Sequence, residues 1–501
     1  MTHHTGKGPS SKPRSNMNTG KSAGRIAGIF LGAVLLGGSC FAQPAVTLSV
    51  TGGPPTTSLY VFGTGFPAST TVHIYFDTTH QALAVTDGTG VFSRIEIRVP
   101  AAAPPGTNWV TAAVASVTGD SAQAPFNVHA DWAQFHFAAA HSGLNPYENV
   151  LNRKTARDLG LAWSFTTGFE VGSSPAVANG VVYVGSEDNN VYALDAGTGA
   201  MLWQFTTGNS IESSPAVANG VVYIGSDDLN VYALDAGTGA MLWQFTTGGP
   251  IESSPAVANG VVYVGSDDFN VYALDANTGA MLWQFATGSG IGDSSPAVAN
   301  GMVYIGSVDH NVYALNASTG AEVWQFDTGA FVESSPTVAN GVVYVGSDDS
   351  NLYALNALTG AKLWQFTAGA GVGCSPAVAN GVVYADSYDN NVYALDAGTG
   401  AKLWQFTTGG EVASSPAVAN GVVYVGSFDN NVYALNARTG AKLWQFTTGA
   451  ELTSSPAVSD GMVYIGSFDN NVYAFSDPIN PQQAPARPDP ATLGPNPGLG
   501  K

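Results

Sequence analysis

Residues 174–205 read SPAVANGVVYVGSEDNNVYALDAGTGAMLWQF, and this stretch decides the fold because it recurs along the chain. A Ser-Pro pair opens each of eight copies, whose prolines are Pro175, Pro215, Pro255, Pro296, Pro336, Pro376, Pro416 and Pro456. The copies follow one another every 40 residues, apart from one interval of 41. A fixed period of about 40 residues is typical of propellers and solenoids.

Each copy predicts four short strands. The Asn179-Gly180 dipeptide favours a type I′ hairpin turn, because both of its residues need a positive φ. The runs 181–185, 191–194 and 201–205 are rich in β-branched and aromatic residues, as strands are. Four strands without a helical segment predict that each copy is one blade of a β-propeller.

The two ends of the repeated region predict a closed ring. Residues 161–165 are a lone copy of the fourth strand, whereas the last copy, residues 455–475, contains only the first three strands. If the N-terminal strand completes the last blade, eight blades close with no open sheet edge around the ring. We therefore predict an all-β chain whose residues 161–476 form an eight-bladed propeller.

Residues 193–203, ALDAGTGAMLW, resemble the AxDxxTGxxxW signature of the pyrroloquinoline-quinone (PQQ) repeat propellers. That family includes quinoprotein alcohol dehydrogenases and the non-catalytic propeller lipoprotein of outer-membrane assembly. The resemblance implies that the tryptophan of each repeat docks between neighbouring blades. The eight tryptophans at this position are Trp163, Trp203, Trp243, Trp283, Trp324, Trp364, Trp404 and Trp444. Asn316, Asn356 and Asn436 replace the aspartate of the motif, and asparagine still permits its turn role.

Residues 1–42 predict a secretory signal peptide. Five basic residues precede an apolar run at 26–36, and small residues stand one and three positions before a cut after Ala42. Cleavage leaves 11 basic and 36 acidic residues, a formal charge of −25, which disfavours binding to nucleic acid or anionic membranes. We expect an exported protein, periplasmic or at the cell surface, without a transmembrane segment. A start at Met17 and a lipid on Cys40 are the alternatives that stay open.

Three further segments flank the repeats. Residues 43–130 alternate apolar and polar residues between Gly- and Pro-rich turns, which predicts a small β-sandwich, and they resemble bacterial immunoglobulin-like modules. This module is interpreted either as an adhesion or spacer domain or as a fold without a ligand of its own. Residues 131–160 are expected to be a connector, with a solvated basic cluster at Arg153, Lys154 and Arg157. Residues 477–501 are Pro-rich and predict a disordered tail.

Comparison of the copies separates the scaffold from a candidate binding site. The loops before each Ser-Pro and after each Gly-Ser vary, and both belong to one face of the ring. Four successive copies carry a carboxylate just before their Ser-Ser-Pro, and we name these residues the acidic arc: Glu212, Glu252, Asp293 and Glu333. Three later copies carry an aromatic residue after their second strand: Tyr388, Phe428 and Phe468.

This face could bind a cation such as Ca²⁺, which prefers carboxylate oxygens, or a ligand with a cationic end and an apolar body. The simpler interpretation, which we favour from sequence, is that the carboxylates are solvated loop residues. In every copy an aspartate stands two residues after the Gly-Ser or Asp-Ser pair at the end of the second predicted strand, beginning with Asp188. Its uniformity predicts a role in the turn rather than in catalysis.

The sequence favours a non-catalytic protein. Cys374 is the only cysteine left after signal cleavage, and it replaces the first serine of a Ser-Ser-Pro, which predicts a buried, unreactive thiol. The dehydrogenases of the family carry a vicinal cysteine pair that this chain lacks. We expect a monomeric binding or scaffold propeller without a cofactor, whose variable face takes a protein or glycan. The alternative is a PQQ-dependent dehydrogenase that uses PQQ and Ca²⁺.

Overall fold

The computed structural model describes residues 43–114 and 120–478. The predicted signal peptide, and the predicted tail beyond residue 478, lie outside these residues. The described residues form one compact unit made almost wholly of strands, with one short 3₁₀ helix at Thr155–Arg157. None of the described segments is a helix long and apolar enough to cross a membrane.

Two sheets make up the N-terminal part. One contains Ala45–Leu48, Ser58–Thr64 and Phe92–Arg98, and the other contains Gly52–Gly53, Ser121–Val128, Gly106–Val114, Thr71–Phe76 and Thr79–Val85, in that order of pairing. Alternate residues of each strand face inward, so Leu59 of the first sheet and Ile74 and Phe126 of the second share one core. The resemblance of this two-sheet fold to immunoglobulin-like modules stays a prediction.

The repeats form eight four-stranded antiparallel blades, as predicted, and the short connector strand Leu144–Asn145 adds in parallel to the first strand of the seventh. The first strands are Ala176–Ala178, Ala216–Ala218, Ala256–Ala258, Ala297–Ala299, Thr337–Ala339, Ala377–Ala379, Ala417–Ala419 and Ala457–Ser459. The second strands are Val181–Gly185, Val221–Gly225, Val261–Ser266, Met302–Gly306, Val342–Gly346, Val382–Ser387, Val422–Gly426 and Met462–Ser467. The first strands of neighbouring blades contact one another all the way round, so they line the centre of a closed ring.

The outer half of each blade consists of the third and fourth strands. The third strands are Asn190–Asp195, Asn230–Asp235, Asn270–Asp275, Asn311–Asn316, Asn351–Asn356, Asn391–Asp396, Asn431–Asn436 and Asn471–Ser476. The fourth strands are Met201–Thr206, Met241–Thr246, Met281–Ala286, Glu322–Asp327, Lys362–Thr367, Lys402–Thr407, Lys442–Thr447 and Gly160–Thr166. Gly160–Thr166 pairs antiparallel with Asn471–Ser476, which places Leu161 opposite Phe475. The prediction that an N-terminal strand completes the last blade is therefore confirmed.

A ring of hydrogen bonds joins the blades near the centre. The second residue of each Ser-Ser-Pro, or of Cys374-Ser375-Pro376, donates its backbone N–H to the side-chain oxygen of the matching serine one blade on. The eight donor–acceptor distances lie between 2.8 and 3.0 Å. We name these residues the serine ring: Ser174, Ser214, Ser254, Ser295, Ser335, Ser375, Ser415 and Ser455.

The repeat tryptophans lie at the contacts between blades. Trp163 donates its indole N–H to the carbonyl oxygen of Ala196 in the next blade at 2.9 Å, and six others make equivalent bonds to alanine carbonyls. Trp444 donates to the carbonyl oxygen of Leu159, just before the N-terminal strand, instead. The ring of Trp163 also covers Gly199, which has a φ of 71° and where a Cβ would lie 2.6 Å from the indole. The Thr-Gly turn of the repeat thus leaves room for the tryptophan of the preceding blade.

The uniform aspartate holds its turn as the sequence predicted. In the first blade, Asp188 Oδ2 accepts hydrogen bonds from the backbone N–H of Gly168 and the hydroxyl of Tyr192, both at 2.6 Å. Its Oδ1 accepts the backbone N–H of Asn190 at 3.0 Å. The bond from the glycine ties two loops of the variable face together and recurs in seven blades. In the fifth blade, Gly329 donates its backbone N–H to Asp327 Oδ1 instead.

Residues 131–160, which the sequence predicted to be a solvated connector, differ most from the prediction. The basic residues Arg153, Lys154 and Arg157 are exposed, but the part before them follows the inner edge of the ring. In the first seven blades the valine at the centre of the first strand donates its backbone N–H to this segment, and the acceptors, in blade order, belong to Trp132, Ala133, Gln134, Ala139, Ala140, Ser142 and Gly143. In the eighth blade the direction is reversed, because Asn145 donates its side-chain N–H to the carbonyl oxygen of Val458. An unpaired inner strand edge leaves backbone N–H groups without acceptors, and this segment supplies them.

Candidate central binding site

A cavity of about 230 Å³ lies at the centre of the ring on its variable face. Every blade contributes the residue before its Ser-Ser-Pro, or its equivalent, and a member of the serine ring. Phe135 of the connector also lines the cavity. The cavity is therefore built by all eight repeats together with the connector.

The cavity brings together most of the predicted ligand-binding residues. The acidic arc lines it on one side, joined by Glu187 of the first blade. Tyr388 and Phe468 line it as well, whereas Phe428 is not among the lining residues. The described residues thus form a cavity that is acidic over one arc and aromatic over another part of its wall.

Desolvation at the cavity wall and mutual repulsion raise the pKa values of the carboxylates, although Glu212 and Asp293 keep exposed surface in the open cavity. Burial, followed by the charges of Asp227 and Asp293, raises the pKa of Glu212 to about 7. Burial and the charge of Asp293 raise the pKa of Glu252 to about 8. The pKa of Asp293 is also raised, mainly by burial and then by Asp267, although its carboxylate faces the cavity. Several like charges around one small space raise one another's pKa values, and a bound cation would offset this repulsion.

The carboxylates surround the cavity without converging on one point. Among the described residues, no group of three or more His, Cys, Asp or Glu side chains is placed to hold a metal ion. Calcium prefers six to eight oxygens at about 2.3–2.6 Å. The arc as it stands is therefore better suited to a positive charge carried by a larger body than to one bare ion.

The serine ring adds hydroxyl groups to the wall. Its side chains are between 1% and 8% exposed, and all eight line the cavity. Each oxygen accepts one backbone N–H, as described above. Among the described residues only Ser295 has an acceptor for its own hydroxyl proton, the carbonyl oxygen of Asp293 at 3.5 Å. The remaining hydroxyls are free to donate to whatever fills the cavity.

Aromatic groups from the connector adjoin the cavity, and sequence reasoning missed them. Phe135 stacks on His136 with ring centroids 4.7 Å apart and meets His141 edge-on at 5.4 Å. Burial lowers the pKa of His136 to about 4 and that of His141 to about 3, so both rings are neutral. The run AQFHFAAAH at 133–141, apolar and free of turn residues, was the available signal that this segment is not a solvated connector.

The sixth blade departs from the others. In the fifth blade, Gly346 donates its backbone N–H to Ser334 Oγ at 3.0 Å. In the sixth blade, Asp386 takes the position of the glycine and Cys374 takes that of the serine. Cys374 is buried as predicted, its Sγ lies 2.8 Å from the carbonyl oxygen of Val412, and burial raises its pKa. Asp386 is fully buried, and neither carboxyl oxygen has a hydrogen-bond partner among the described residues. Sequence reasoning passed over this replacement of glycine by aspartate.

The lining residues do not fit PQQ. The quinone carries several carboxylates at neutral pH, whereas the cavity wall has five carboxylic residues and, among the described residues, no lysine or arginine. Like charges at this range repel one another strongly in a partly buried site. The cavity accordingly offers no counter-charge for that cofactor.

The sequence matches three family models, each over part of the ring. Residues 292–477 match the β-propeller of beta-alanine-activating enzyme, and residues 187–295 match outer membrane protein assembly factor BamB. Residues 132–213 match the β-propeller domain of glucose, ethanol and alcohol dehydrogenases. No curated protein sequence matches the chain.

Solved structures show the same fold. BamB from Moraxella catarrhalis has a TM-score of 0.57 at 23% identity, over 64% of this chain and 99% of that one. Quinohemoprotein alcohol dehydrogenase ADHIIG from Pseudomonas putida HK5 has a TM-score of 0.62 at 18% identity, over 72% of this chain and 82% of that one. The quinohemoprotein alcohol dehydrogenase of Comamonas testosteroni has a TM-score of 0.61 at 17% identity, over 69% and 80%. These identities support a shared fold only, so the function has to be argued from the residues of the cavity.

Proposed function

We propose that this PQQ-repeat β-propeller is a non-catalytic binding platform of the cell envelope whose central cavity takes a small organic cation. The observation that carries the proposal is the placement of the acidic arc around one small cavity. A carboxyl group whose pKa is raised by desolvation and by neighbouring carboxylates is stabilised in its charged form when a cation binds beside it. The proposed site therefore exchanges protons for a ligand cation.

The aromatic residues and the volume of the cavity indicate the size and polarity of the uncharged part of the ligand. Tyr388, Phe468 and Phe135 give the cavity aromatic surface on which an apolar body or the cation itself can rest. Pockets for drug-sized ligands typically have volumes of about 300–1,000 Å³. A cavity of about 230 Å³ suits a ligand no larger than one ring.

A binding role also agrees with the regularity of the scaffold. Catalysis needs one differentiated set of groups with matched pKa values. The blades here share their turns and most of their inter-blade contacts, and the lining of the cavity is acidic over one arc and partly aromatic elsewhere. The placement at the cell envelope rests on the composition of residues 1–42.

Calorimetric titration of the full chain with cyclohexylamine, and with cyclohexanol as its neutral counterpart, tests the proposal. We expect one-to-one binding of the amine at pH 8 and at least about tenfold weaker binding of the alcohol, since ~1.4 kcal/mol corresponds to tenfold. The double variant Glu252→Gln, Asp293→Asn should lose at least about tenfold in amine affinity. Glu322→Gln, on a fourth strand away from the cavity, is the matched control.

Equal affinity for amine and alcohol would contradict the proposal. So would unchanged amine binding in the double variant. PQQ with and without Ca²⁺ provides a further titration, and tight binding of the quinone would favour a quinoprotein dehydrogenase instead.

A further inference from the structure

We propose that the ligand of the cavity is an amino sugar, whose ammonium group meets the acidic arc and whose hydroxyl oxygens accept from the serine ring. This inference rests on the proposed function and adds the chemical class of the ligand. The observation behind it is the set of serine hydroxyls on the cavity wall, which a simple amine would leave without hydrogen-bond acceptors.

The serine ring presents fixed donors to the cavity. Each oxygen is held in place by the backbone N–H that it accepts from the preceding blade, at 2.8–3.0 Å. A hydroxyl group has one proton and two lone pairs, so one lone pair remains on each side chain and one proton on every side chain except that of Ser295. The side chains are more than nine-tenths buried, which means that these groups face the cavity rather than bulk water.

A ligand that displaces water from this wall must replace the lost hydrogen bonds. A site built to bond hydroxyl groups rejects an analogue without them, because its buried polar groups are then left unpaired. Anionic acceptors are disfavoured, since five carboxylic residues line the same cavity. Neutral oxygens remain, and a sugar hydroxyl both accepts from a serine and donates to one.

The aromatic part of the wall fits the C–H faces of a sugar ring. Tyr388 is held close to the backbone of the sixth blade, because a Cβ at Gly373 would lie 2.0 Å from its hydroxyl oxygen. Gly373 takes the position that carries a carboxylate in four other blades. The sixth blade thus lacks a charge at this position, and the space is filled by an aromatic ring on the cavity wall.

The combination selects a hydroxylated cation. An alkylamine uses the carboxylates and the aromatic rings but not the hydroxyls, and a neutral sugar uses the hydroxyls and rings but not the carboxylates. An amino sugar uses all three. The cavity has room for one such residue, either as a free monosaccharide or as the terminal residue of a glycan.

The test compares D-glucosamine with cyclohexylamine and D-glucose by calorimetric titration of the full chain at pH 7, where the amino groups of both amines are mostly protonated. We expect glucosamine to bind at least about tenfold more tightly than either of the other two ligands. A deacetylated chitosan trisaccharide distinguishes the two sources of the sugar. Binding tighter than that of the monosaccharide identifies a glycan end, and weaker binding identifies a free sugar.

The outcomes separate this inference from the proposed function. If cyclohexylamine binds as tightly as glucosamine, the serine ring takes no part in recognition, and the inference falls while the cation site stands. If neither amine binds, both fall. If glucose binds as tightly as glucosamine, the ammonium group does not contribute to affinity, and the proposed function is wrong.

A protein variant provides a second readout. Ser335→Ala removes one hydroxyl of the ring, and we expect it to weaken glucosamine binding by about three- to tenfold and to affect cyclohexylamine less. Ser186→Ala is the matched control, because Ser186 is equally buried but does not line the cavity. Equal weakening of both ligands by Ser335→Ala would show a general disturbance of the ring and would overturn the assigned role. Thermal melts of both variants confirm that they fold.

Discussion

Ser455 donates its backbone N–H to the side-chain oxygen of Ser174 at 2.8 Å, and this bond joins the last blade to the first. The same two blades meet at a second place, where Ser454 donates its hydroxyl to the carbonyl oxygen of Ser173 at 3.1 Å. The first of these bonds recurs at every junction between consecutive blades, and the second recurs at four of them. The seam is therefore closed by bonds of the same kind as the other junctions.

Ser174→Ala is expected to lower the free energy of unfolding by about 1–3 kcal/mol, because it leaves the buried N–H of Ser455 without an acceptor. Chemical denaturation followed by tryptophan fluorescence measures the loss. Ser375→Ala removes the corresponding bond at a junction away from the seam and should cost about the same. A much larger cost at either position would show that the bonds of the ring are unequal.

Gly143→Ala is expected to destabilise the protein by about 1–3 kcal/mol, since a Cβ there would lie 2.5 Å from that of Ala377 and the residue has a φ of 61°. Gly88→Ala is the control, because nothing lies within 4 Å of a Cβ at that position. Thermal unfolding of the two variants provides the comparison. If Gly143→Ala were as stable as Gly88→Ala, the connector would not be packed inside the ring in solution.

Asp386→Gly is expected to stabilise the protein at pH 7 by about 1–3 kcal/mol, because it removes a buried carboxyl group without hydrogen-bond partners. Burial holds the pKa of Asp386 well above its ordinary value of 3.8, so the unfolded chain binds fewer protons above about pH 4. The stability of the natural chain should therefore fall as the pH rises from about 4 towards neutrality, and this part of the slope should disappear in the variant.

Denaturation curves collected from pH 4 to pH 8 measure this slope. Gly346→Asp places the same side chain at the equivalent position of the fifth blade and should destabilise the protein instead. An unchanged slope in Asp386→Gly would show that the carboxyl group does not remain protonated in the folded state.

Affinity for cyclohexylamine is expected to rise by at least about tenfold between pH 6 and pH 9. The pKa values of Glu212 and Glu252, about 7 and about 8, mean that these groups lose their protons over this range, while the amine stays charged. Titration calorimetry at several pH values measures the change, and binding below pH 8 should release protons. Glu252→Gln should reduce the dependence, and a flat profile in the natural chain would count against binding by the carboxylates.

The repeat made the propeller predictable. The Asn-Gly turns, the strand runs and the lone fourth strand around Trp163 specify four-stranded blades and their closure with local signals alone. The acidic arc could be placed on one face, because equivalent positions in a propeller lie on the same side of every blade. Its four residues do line one cavity, together with Tyr388 and Phe468.

Other parts of the site depend on contacts that no local signal encodes. Phe428 occupies the same repeat position as Tyr388 and Phe468 yet does not line the cavity. The serine ring was visible as a repeated residue, but its bonds form between blades 40 residues apart. The connector could not be placed from its own sequence, since its partners are the backbones of all eight first strands.

The connector has a consequence for how the ring reaches the correct size. Because the blades are nearly identical, the contacts between them do not by themselves determine how many blades make up the closed ring. Residues 132–145 offer one bonding position to each blade, in the order in which the blades follow in the chain. The segment thus favours a ring of eight blades. A ring with one blade fewer would leave one bonding position of the segment unfilled, and a ring with one more would leave one inner strand without a hydrogen-bond partner.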